Sequence, residues 1–326
     1  MNSLEIRERL KDYVESSFLA PLLQNESVSD ISYNGQRIFY EDSTRGRLPF
    51  DCEVTPTIVG NFLRQIANYS EKQFSYMSPI LDVSFSRYRL NATYLSLTRV
   101  KDAKSYSFSL RIGKEGTAIG EEDKEFFGGS RDLLLDALHR RESIVIAGET
   151  SSGKTELQKY LLLHLPPFTR VLVIDNVEEL ELSRGSNDLD LTSWLVDDRL
   201  KESSFPSLIR NALRNNPDYL LVAESRGGEM LEALHCVMSG HPIITTLHAL
   251  DIDSIPTRIA RMAMMAGERL FFEETLADVY HHFSTLVYLK KEMREGKIHR
   301  YVQSVGRLNE KERKVDLLFD RKEKPL

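Results

Sequence analysis

The stretch Ile144-Val-Ile-Ala-Gly-Glu-Thr-Ser-Ser-Gly-Lys-Thr155 decides the fold of this chain. It begins with a short apolar run of the kind that lies buried in a parallel sheet. Two glycines and small polar residues follow, and the residues from Lys154 to Leu165 favour a helix that ends before Pro166. The stretch therefore predicts a strand, a tight loop and a helix in succession, the repeating unit of an α/β sheet.

The loop in this stretch has the spacing of a phosphate-binding loop. Gly148 and Gly153 let the backbone curl so that successive N–H groups face one anion, and the following helix adds its dipole. Lys154 is expected to reach the β and γ phosphates of a nucleotide, and the Thr155 hydroxyl is expected to ligate Mg2+. An ordinary glycine turn is the alternative. The predicted phosphate-binding residues are Gly148, Glu149, Thr150, Ser151, Ser152, Gly153, Lys154 and Thr155.

Two further apolar runs end in acidic residues. Tyr219-Leu-Leu-Val-Ala precedes Glu224, and Val171-Leu-Val-Ile precedes Asp175, with Glu179 a little further on. Because ligands bind at the carboxyl ends of strands in open α/β sheets, we expect these carboxylates beside the loop. Glu224 is a candidate to hold Mg2+ or water, and Asp175 and Glu179 are candidates to orient or deprotonate the attacking water. Solvated acidic loops are the alternative.

Two histidines flank another apolar run, Ile243-Ile-Thr-Thr-Leu247. Seven residues at about 3.3 Å each would separate His241 and His248 by roughly 23 Å in a strand, which excludes a shared metal ion. We therefore predict no zinc site here. His248 is a candidate to hydrogen-bond the γ-phosphate, although the spacing alone favours a structural histidine.

The residues before the phosphate-binding stretch predict a smaller domain. Apolar spacing predicts helices near the chain start and from Thr57 to Asn68, and Asn34-Gly35 predicts a tight hairpin turn with two positive φ angles. In the run from Tyr106 to Ile112, alternate apolar residues share one face and leave Arg111 on the other. We therefore expect an N-terminal α+β domain over residues 1–115.

A change of composition separates this domain from the rest of the chain. Residues 116–129 are rich in glycine and charge with weak periodicity, which predicts a linker. Residues 130–326 alternate strand and helix patterns, which predicts a parallel sheet with crossover helices. Near the end, apolar runs on both sides of Glu295-Gly296 predict an antiparallel hairpin added to that sheet.

The composition is typical of a soluble globular protein, with 41% hydrophobic and 28% charged residues. The net charge of −6 offers no excess of basic residues for nucleic-acid phosphates, so a direct nucleic-acid ligand is disfavoured. Cys52 and Cys236 lack the spacing of a zinc site or a disulfide framework, which suits a reducing cytoplasm. No apolar run reaches the roughly 18 residues of a membrane span, so we expect membrane association to be peripheral.

The order and spacing of four segments resemble the secretion ATPase superfamily, the hexameric traffic ATPases of type II secretion, type IV pili and type IV secretion. Gly148–Thr155 matches the Walker A motif of that family, and Val173–Leu180 resembles its aspartate box. Asn211–Glu229 is similar to its Walker B segment, with Glu224 in the usual Asp place, and Gly240–Ala249 resembles its histidine box. Without the tetracysteine insertion of some relatives, the chain looks closest to the type IV secretion and tight-adherence branch.

The resemblance implies a RecA-like P-loop NTPase fold for the C-terminal domain, ATP and Mg2+ as cofactors, and a homohexamer. It makes Glu224 the Walker B carboxylate, a Mg2+ ligand together with Thr155, and it makes His248 a γ-phosphate sensor. Arg89 and Arg111 lie in segments that resemble those supplying arginines toward the nucleotide. A guanidinium there would stabilise charge on the γ-phosphate, and a solvated surface arginine is the alternative in each case.

Two positions depart from the family pattern. Asn176 stands where a second acidic residue is common, and Asp175 is shorter than the usual Glu. Whether Asp175, Glu179 or Glu224 activates the water therefore stays open.

We expect an ATPase motor on the cytoplasmic face of the inner membrane, where platform proteins would be its partners. Such a motor would power macromolecule secretion, conjugative transfer or pilus assembly. Two alternatives remain at this point. One is a nucleic-acid translocase, which the acidic composition disfavours. The other is a scaffold that binds ATP without turnover, for which Asn176 is the hint.

Overall fold

The computed structural model of this protein describes residues 3–113, 116–176, 180, 188–197 and 200–321. The chain divides into two compact units. The first comprises Met1–Lys114 and Met293–His299, and the second comprises Glu115–Glu292 and Arg300–Leu326. Within the described ranges, no helix is both long enough and apolar enough to cross a membrane.

The described residues of the first unit form three helices and an antiparallel sheet. Its helices are α1 (Ser3–Glu15), α2 (Ala20–Leu23) and α3 (Pro56–Tyr69). Its strands are β1 (Val28–Tyr33), β2 (Ile38–Asp42), β3 (Gly46–Phe50), β4 (Ile80–Phe85), β5 (Tyr88–Thr93), β6 (Arg99–Val100), β7 (Ala103–Lys104) and β8 (Ser107–Ile112). Six strands form one sheet in the order β3-β2-β1-β8-β5-β4, and β6 pairs with β7. This is the predicted α+β architecture.

Helix α3 shows how the sequence builds this unit. The Thr55 side chain caps the helix by accepting a hydrogen bond from the Ile58 amide at 3.3 Å. Pro56 occupies the first turn, where its missing amide costs no helical hydrogen bond. The buried residues of the helix lie on the face turned to the core, and these are Val59, Gly60, Phe62, Leu63, Ile66 and Ala67. The predicted helix is confirmed.

The central strand β8 has one buried face and one exposed face. Phe108, Leu110 and Ile112 are buried, while the alternate residues Ser109 and Arg111 are exposed. This alternation follows from the two-residue period of a strand and confirms the predicted orientation of Arg111.

The hairpin between β1 and β2 is confirmed, but its predicted turn is wrong. Tyr33 pairs with Ile38, so four residues form the connection, and of Asn34 and Gly35 only Gly35 has a positive φ, at 97°. The Asn34 side chain instead accepts hydrogen bonds from the amides of Gln36 and Arg37, at 3.0 and 2.9 Å. An Asn side chain can stabilise a turn in this way without entering the left-handed region itself.

The second unit is built on a largely parallel sheet. Its helices are α4 (Lys124–Phe127), α5 (Arg131–His139), α6 (Lys154–Leu163), α7 (Phe205–Ala212), α8 (Glu229–Met238), α9 (Ile255–Met264) and α10 (Phe272–His282). Its strands are β9 (Ile144–Gly148), β10 (Arg170–Asp175), β11 (Asp190–Leu195), β12 (Tyr219–Val222), β13 (Ile243–Leu247), β14 (Thr285–Arg294), β15 (Lys297–Asn309) and β16 (Lys314–Asp320). The last residues of β14, from Met293, and the first residues of β15, as far as His299, belong to the first unit.

The strand order is β11-β10-β12-β13-β9-β14-β15-β16. In this spatial order, each strand from β11 to β14 pairs in parallel with its neighbour, and β15 pairs antiparallel with β16. Val145 and Ala147 of β9 belong to one hydrophobic core, whereas Ile144 and Ile146 belong to another. The sheet is therefore covered on both faces, as an α/β fold requires, and that part of the prediction is confirmed.

Residues 116–129, which the sequence predicts as a linker, fall in the second unit. Three of their side chains, Ile119, Phe126 and Phe127, lie in the core that also contains Ile144 and Ile146. The predicted extent of the linker stays a prediction.

A buried carboxylate stabilises the end of strand β2. Asp42 is 1% exposed and accepts hydrogen bonds from the side chains of Ser27, Thr44 and Arg45 and from the amides of Thr44 and Arg45. Burial raises the pKa of Asp42, but these hydrogen bonds outweigh it and hold the pKa well below its ordinary value of 3.8. The ionised form is therefore favoured by folding.

Asp42→Asn is expected to lower the free energy of unfolding at pH 7 by about 1–3 kcal/mol, because buried donors lose a charged acceptor. The contribution of Asp42 is fully present above the ordinary pKa and declines as the pH falls toward the lower pKa of the folded state. The difference in the free energy of unfolding between variant and wild type, measured by urea titration, should therefore become smaller below pH 4. Asp51→Asn, at an exposed carboxylate, is the control, and an equal loss at pH 7 and pH 3 would contradict this assignment.

Candidate active site

The phosphate-binding stretch forms the predicted strand, loop and helix. Strand β9 ends at Gly148, and helix α6 begins at Lys154. Positive φ angles of 155° at Gly148, 60° at Ser151 and 99° at Gly153 curl the loop between them. Within the described part of the chain, the amides of Thr150, Ser151 and Gly153 donate no hydrogen bond. Such a turn leaves N–H groups available for an anion at the N-terminus of a helix.

Lys154 lies folded over this loop. Its Nζ donates to the carbonyl oxygens of Glu149 and Gly148, at 2.8 and 3.1 Å. The same ammonium lies 3.4 Å from Nδ1 of His248. The side chain is 8% exposed, so its charge is held at the loop rather than in bulk water.

The strand register explains why His248 lies here. Leu247 of β13 pairs with Ala147 of β9, so the next residues, His248 and Gly148, leave the sheet side by side. Nδ1 of His248 lies 3.1 Å from the Gly148 carbonyl oxygen. His248 was predicted at the carboxyl end of this strand, and the structure places it there.

Glu224 approaches the same point from the next strand. Val222, the last residue of β12, pairs with Thr245 of β13, and Glu224 follows two residues later. Oε1 of Glu224 lies 3.1 Å from Nε2 of His248, and Oε2 accepts a hydrogen bond from Arg226 at 2.6 Å. No described residue donates a hydrogen bond to the buried Oε1, because the His248 ring approaches it outside hydrogen-bond geometry. One carboxylate oxygen of Glu224 therefore has an unused capacity to accept a hydrogen bond.

The charge of Glu224 is set by opposing effects. Burial raises the pKa of its carboxyl, but the hydrogen bond and charge of Arg226, followed by the charges of His248 and Lys154, outweigh it. The pKa is therefore lowered, and the group is a carboxylate at neutral pH.

Of the two acidic candidates near strand β10, the structure describes only Asp175. Asp175 ends β10, is 1% exposed, and its Oδ2 accepts a hydrogen bond from the Leu180 amide at 3.3 Å. Ile174 pairs with Val222, so Asp175 lies on the strand beside the one that leads to Glu224. Glu179 lies outside the described residues.

Arg89 and Arg111 belong to the first unit, on neighbouring strands. They face each other directly in the register of β5 and β8. Like charges in this arrangement repel, and two carboxylates offset the repulsion. Nε of Arg111 lies 3.5 Å from Oδ1 of Asp30, and a guanidinium nitrogen of Arg89 lies 3.8 Å from Oδ2 of Asp82. The structure therefore brings these two arginines together on the exposed face of the first sheet.

A cavity of 740 Å³ opens beside the loop in the second unit. Gly148, Thr150 and His248 line the cavity, and Arg258 and Lys291 are among its other lining residues. A concave space with cationic side chains, next to amides that donate no hydrogen bond to a described residue, suits a polyanionic ligand.

Comparison with known proteins identifies the family. The sequence model described as Type II/IV secretion system protein matches residues 110–293, which is more than half of the 326-residue chain. This chain belongs to the type II/IV secretion system protein family. The resemblance seen in the sequence motifs is thereby confirmed.

Two relatives of this secretion-family protein show the extent of the sequence similarity. An uncharacterized protein of Bacillus anthracis is 28% identical over 268 residues, which are 81% of this chain and 59% of the relative. The type IV secretion system protein PtlH of Bordetella pertussis is 37% identical over 139 residues, which are 42% of this chain and 41% of PtlH. The matched regions thus span less than two thirds of the length of either relative.

A solved structure has a similar fold. The ATPase DotB of Legionella pneumophila superposes with a TM-score of 0.64 at 21% identity, covering 94% of this chain and 81% of DotB. This similarity confirms the predicted fold, in which a RecA-like α/β domain follows a smaller N-terminal α+β domain.

Sequence reasoning missed two residues that shape the site of this secretion-family protein. Arg226 stands two positions after Glu224 in the quoted Walker B segment, but nothing in the spacing showed that it would hold that carboxylate. Gln158 is fully buried in α6, and its Nε2 donates to the carbonyl oxygens of Val222 and Ile244 at 3.0 and 3.3 Å. A Gln inside an apolar helix pattern is a sequence signal, because a buried amide needs partners.

Proposed function

We propose that this protein is an ATPase motor that hydrolyses ATP with Mg2+. As a ring of six copies it powers macromolecule secretion, conjugative transfer or pilus assembly at the cytoplasmic face of the inner membrane, on platform proteins. The observation that carries the proposal is that Lys154, His248 and Glu224 lie together beside the loop. Nζ of Lys154 lies 3.4 Å from Nδ1 of His248, and Nε2 of His248 lies 3.1 Å from Oε1 of Glu224. Family membership supports the proposal, as do the similarities to PtlH, a type IV secretion system protein, and to DotB, an ATPase.

The phosphate loop binds the triphosphate in this proposal. The available amides of Thr150, Ser151 and Gly153 hold phosphate oxygens, and the positive end of α6 adds to the attraction. Lys154 exchanges its contacts with the loop carbonyls for the β and γ phosphates. His248, next to both Lys154 and Glu224, hydrogen-bonds the γ-phosphate and thereby senses its presence.

The donor set also fits Mg2+. The buried Oε1 of Glu224, which accepts no hydrogen bond from a described residue, and the hydroxyl of Thr155 in the first turn of α6 are oxygen ligands of the kind that Mg2+ takes alongside nucleotide phosphates. When bound, Mg2+ would neutralise charge on the phosphates. Glu224, anionic at neutral pH, would also orient the attacking water with its carboxylate.

The remaining candidates have proposed roles of their own. Asp175 and Glu179 are proposed to orient or deprotonate the water from the end of strand β10. Arg89 and Arg111 are proposed to stabilise charge on the γ-phosphate, and their direct pairing supports a joint action. To do so, each guanidinium would exchange its contact with Asp82 or Asp30 for a phosphate oxygen.

The test measures phosphate release from ATP by purified protein in the presence of Mg2+, alone and with inner-membrane vesicles. Lys154→Ala is expected to reduce the rate by at least about 10²-fold, the usual effect of removing one preorganised charge from a transition state. Lys311→Ala, at an exposed lysine, is the matched control and should retain the wild-type rate.

Hydrolysis by wild type that Lys154→Ala does not reduce would overturn this assignment of the site. Nucleotide binding without phosphate release, with or without membranes, would favour the scaffold that binds ATP without turnover.

A further inference from the structure

A contact between strand β15 and the phosphate loop has no part in the function described so far. Nε of Arg300 donates a hydrogen bond to the carbonyl oxygen of Ser151 at 2.8 Å. The two residues are far apart in sequence, and β14 lies between β15 and the loop-bearing strand β9 in the sheet order. The arginine therefore reaches from the antiparallel extension of the sheet to the tip of the loop.

The residue that accepts this bond has a costly backbone conformation. Ser151 has a φ of 60°, in the left-handed region that non-glycine residues seldom occupy. A hydrogen bond from a charged guanidinium is stronger than one between neutral groups, so it is suited to hold such a peptide unit in place. The contact offsets strain where the loop must present its amides to an anion.

The stem of the same side chain lies beside the second glycine of the loop. A Cβ added at Gly153 would lie 3.9 Å from Cδ of Arg300 and 3.6 Å from Cε2 of Phe126. Phe126 is buried, so this side of the loop rests on a packed surface. Arg300 thus supports the loop on the side of Ser151 and Gly153, while Lys154 and His248 lie against Gly148.

We propose that Arg300 is a positioning residue that preorganises the phosphate loop for nucleotide. It acts through Ser151 and not on the reacting atoms, so its effect falls on nucleotide affinity and not on the chemical step. The inference rests on the proposed function in one respect, because it requires that the loop binds nucleotide. It also gives β15 a role in the site, although the sequence predicted only a hairpin appended to the sheet.

The test compares Arg300→Met with wild type in two measurements. Met keeps an apolar stem beside Gly153 but removes the donor to Ser151. The Kd of a fluorescent ATP analogue with Mg2+ and the KM for ATP should each rise about 10-fold, while kcat stays within about 2-fold of wild type. Arg300→Lys, which retains a charged donor, should recover most of the affinity. Lys297→Met on the same strand is the matched control and should change neither constant.

A double-mutant cycle with Ser151→Gly separates positioning from simple packing. Glycine adopts the left-handed conformation without strain, so less support from Arg300 is needed. Arg300→Met should therefore raise the Kd by less in the Ser151→Gly background than in wild type. Circular dichroism and unfolding temperature establish that each variant is folded. If Arg300→Met does not fold, Arg300→Leu, which also lacks a donor, replaces it in the cycle.

The outcomes distinguish this inference from the proposed function. Analogue binding by wild type together with an unchanged Kd in Arg300→Met overturns the inference alone. A fall in kcat at constant KM, or equal effects of Arg300→Met in both backgrounds, also overturns it. Failure of wild type to bind the analogue overturns both.

Discussion

Glu224→Gln is expected to reduce ATP hydrolysis by about 10²–10⁴-fold while nucleotide still binds. This range is the usual contribution of a positioned acid or base. Gln matches the size of Glu and keeps an acceptor for Arg226, but it cannot take a proton and it places no negative charge beside Lys154 and His248. The loss should therefore appear in kcat and not in the affinity for nucleotide.

Phosphate release at saturating ATP and binding of a fluorescent ATP analogue measure the two halves of that expectation. Glu122→Gln, at an exposed carboxylate of the same unit, should behave as wild type. A Glu224→Gln variant with more than about a tenth of the wild-type rate would show that Asp175 or Glu179 activates the water instead.

Gly148→Ala should damage the loop itself. A Cβ at this position would lie 2.5 Å from the carbonyl oxygen of Leu289 and 2.6 Å from Oγ of Ser152. Leu289 is a backbone partner of Gly148 in the register of β14 and β9, so it cannot move without disturbing the sheet. We expect nucleotide affinity to fall by about 10²-fold or more, since each tenfold loss corresponds to about 1.4 kcal/mol. Overpacking should also lower the free energy of unfolding by about 1–3 kcal/mol.

Analogue binding and urea unfolding of the same variant measure these two losses. Gly120→Ala is the control, because the nearest atom to its added Cβ is 3.9 Å away and its φ is not positive. Wild-type affinity in Gly148→Ala would mean that the phosphates do not depend on this loop conformation.

The sequence predicted the elements whose local signals agree with the final fold. The apolar strand at Ile144, the glycines of the loop and the helix from Lys154 each follow from neighbouring residues, and all three are confirmed. The rule that ligands gather at the carboxyl ends of parallel strands placed Glu224 and His248 beside the loop, and the register of β12, β13 and β9 brings them there.

Contacts between distant side chains were harder to foresee. Arg226, Gln158 and Arg300 each act through a partner that tertiary packing selects, and no residue spacing encodes such a partner. The prediction of the turn after β1 was wrong for a local reason. An Asn residue can close a turn by adopting a positive φ or by accepting hydrogen bonds with its side chain, and Asn34 does the second. The catalytic roles of all six candidates stay predictions, and these are Glu224, Asp175, Glu179, His248, Arg111 and Arg89.

The central claim is that the loop from Gly148 to Thr155 grips the phosphates of a nucleotide, and equilibrium binding of a fluorescent ATP analogue with Mg2+ tests it most directly. Wild type and Glu224→Gln should bind the analogue with similar affinity, and unlabelled ATP should displace it. Lys154→Ala and Gly148→Ala should bind it at least about 10²-fold more weakly. Equal binding by all four proteins, or no binding by wild type, would contradict the account.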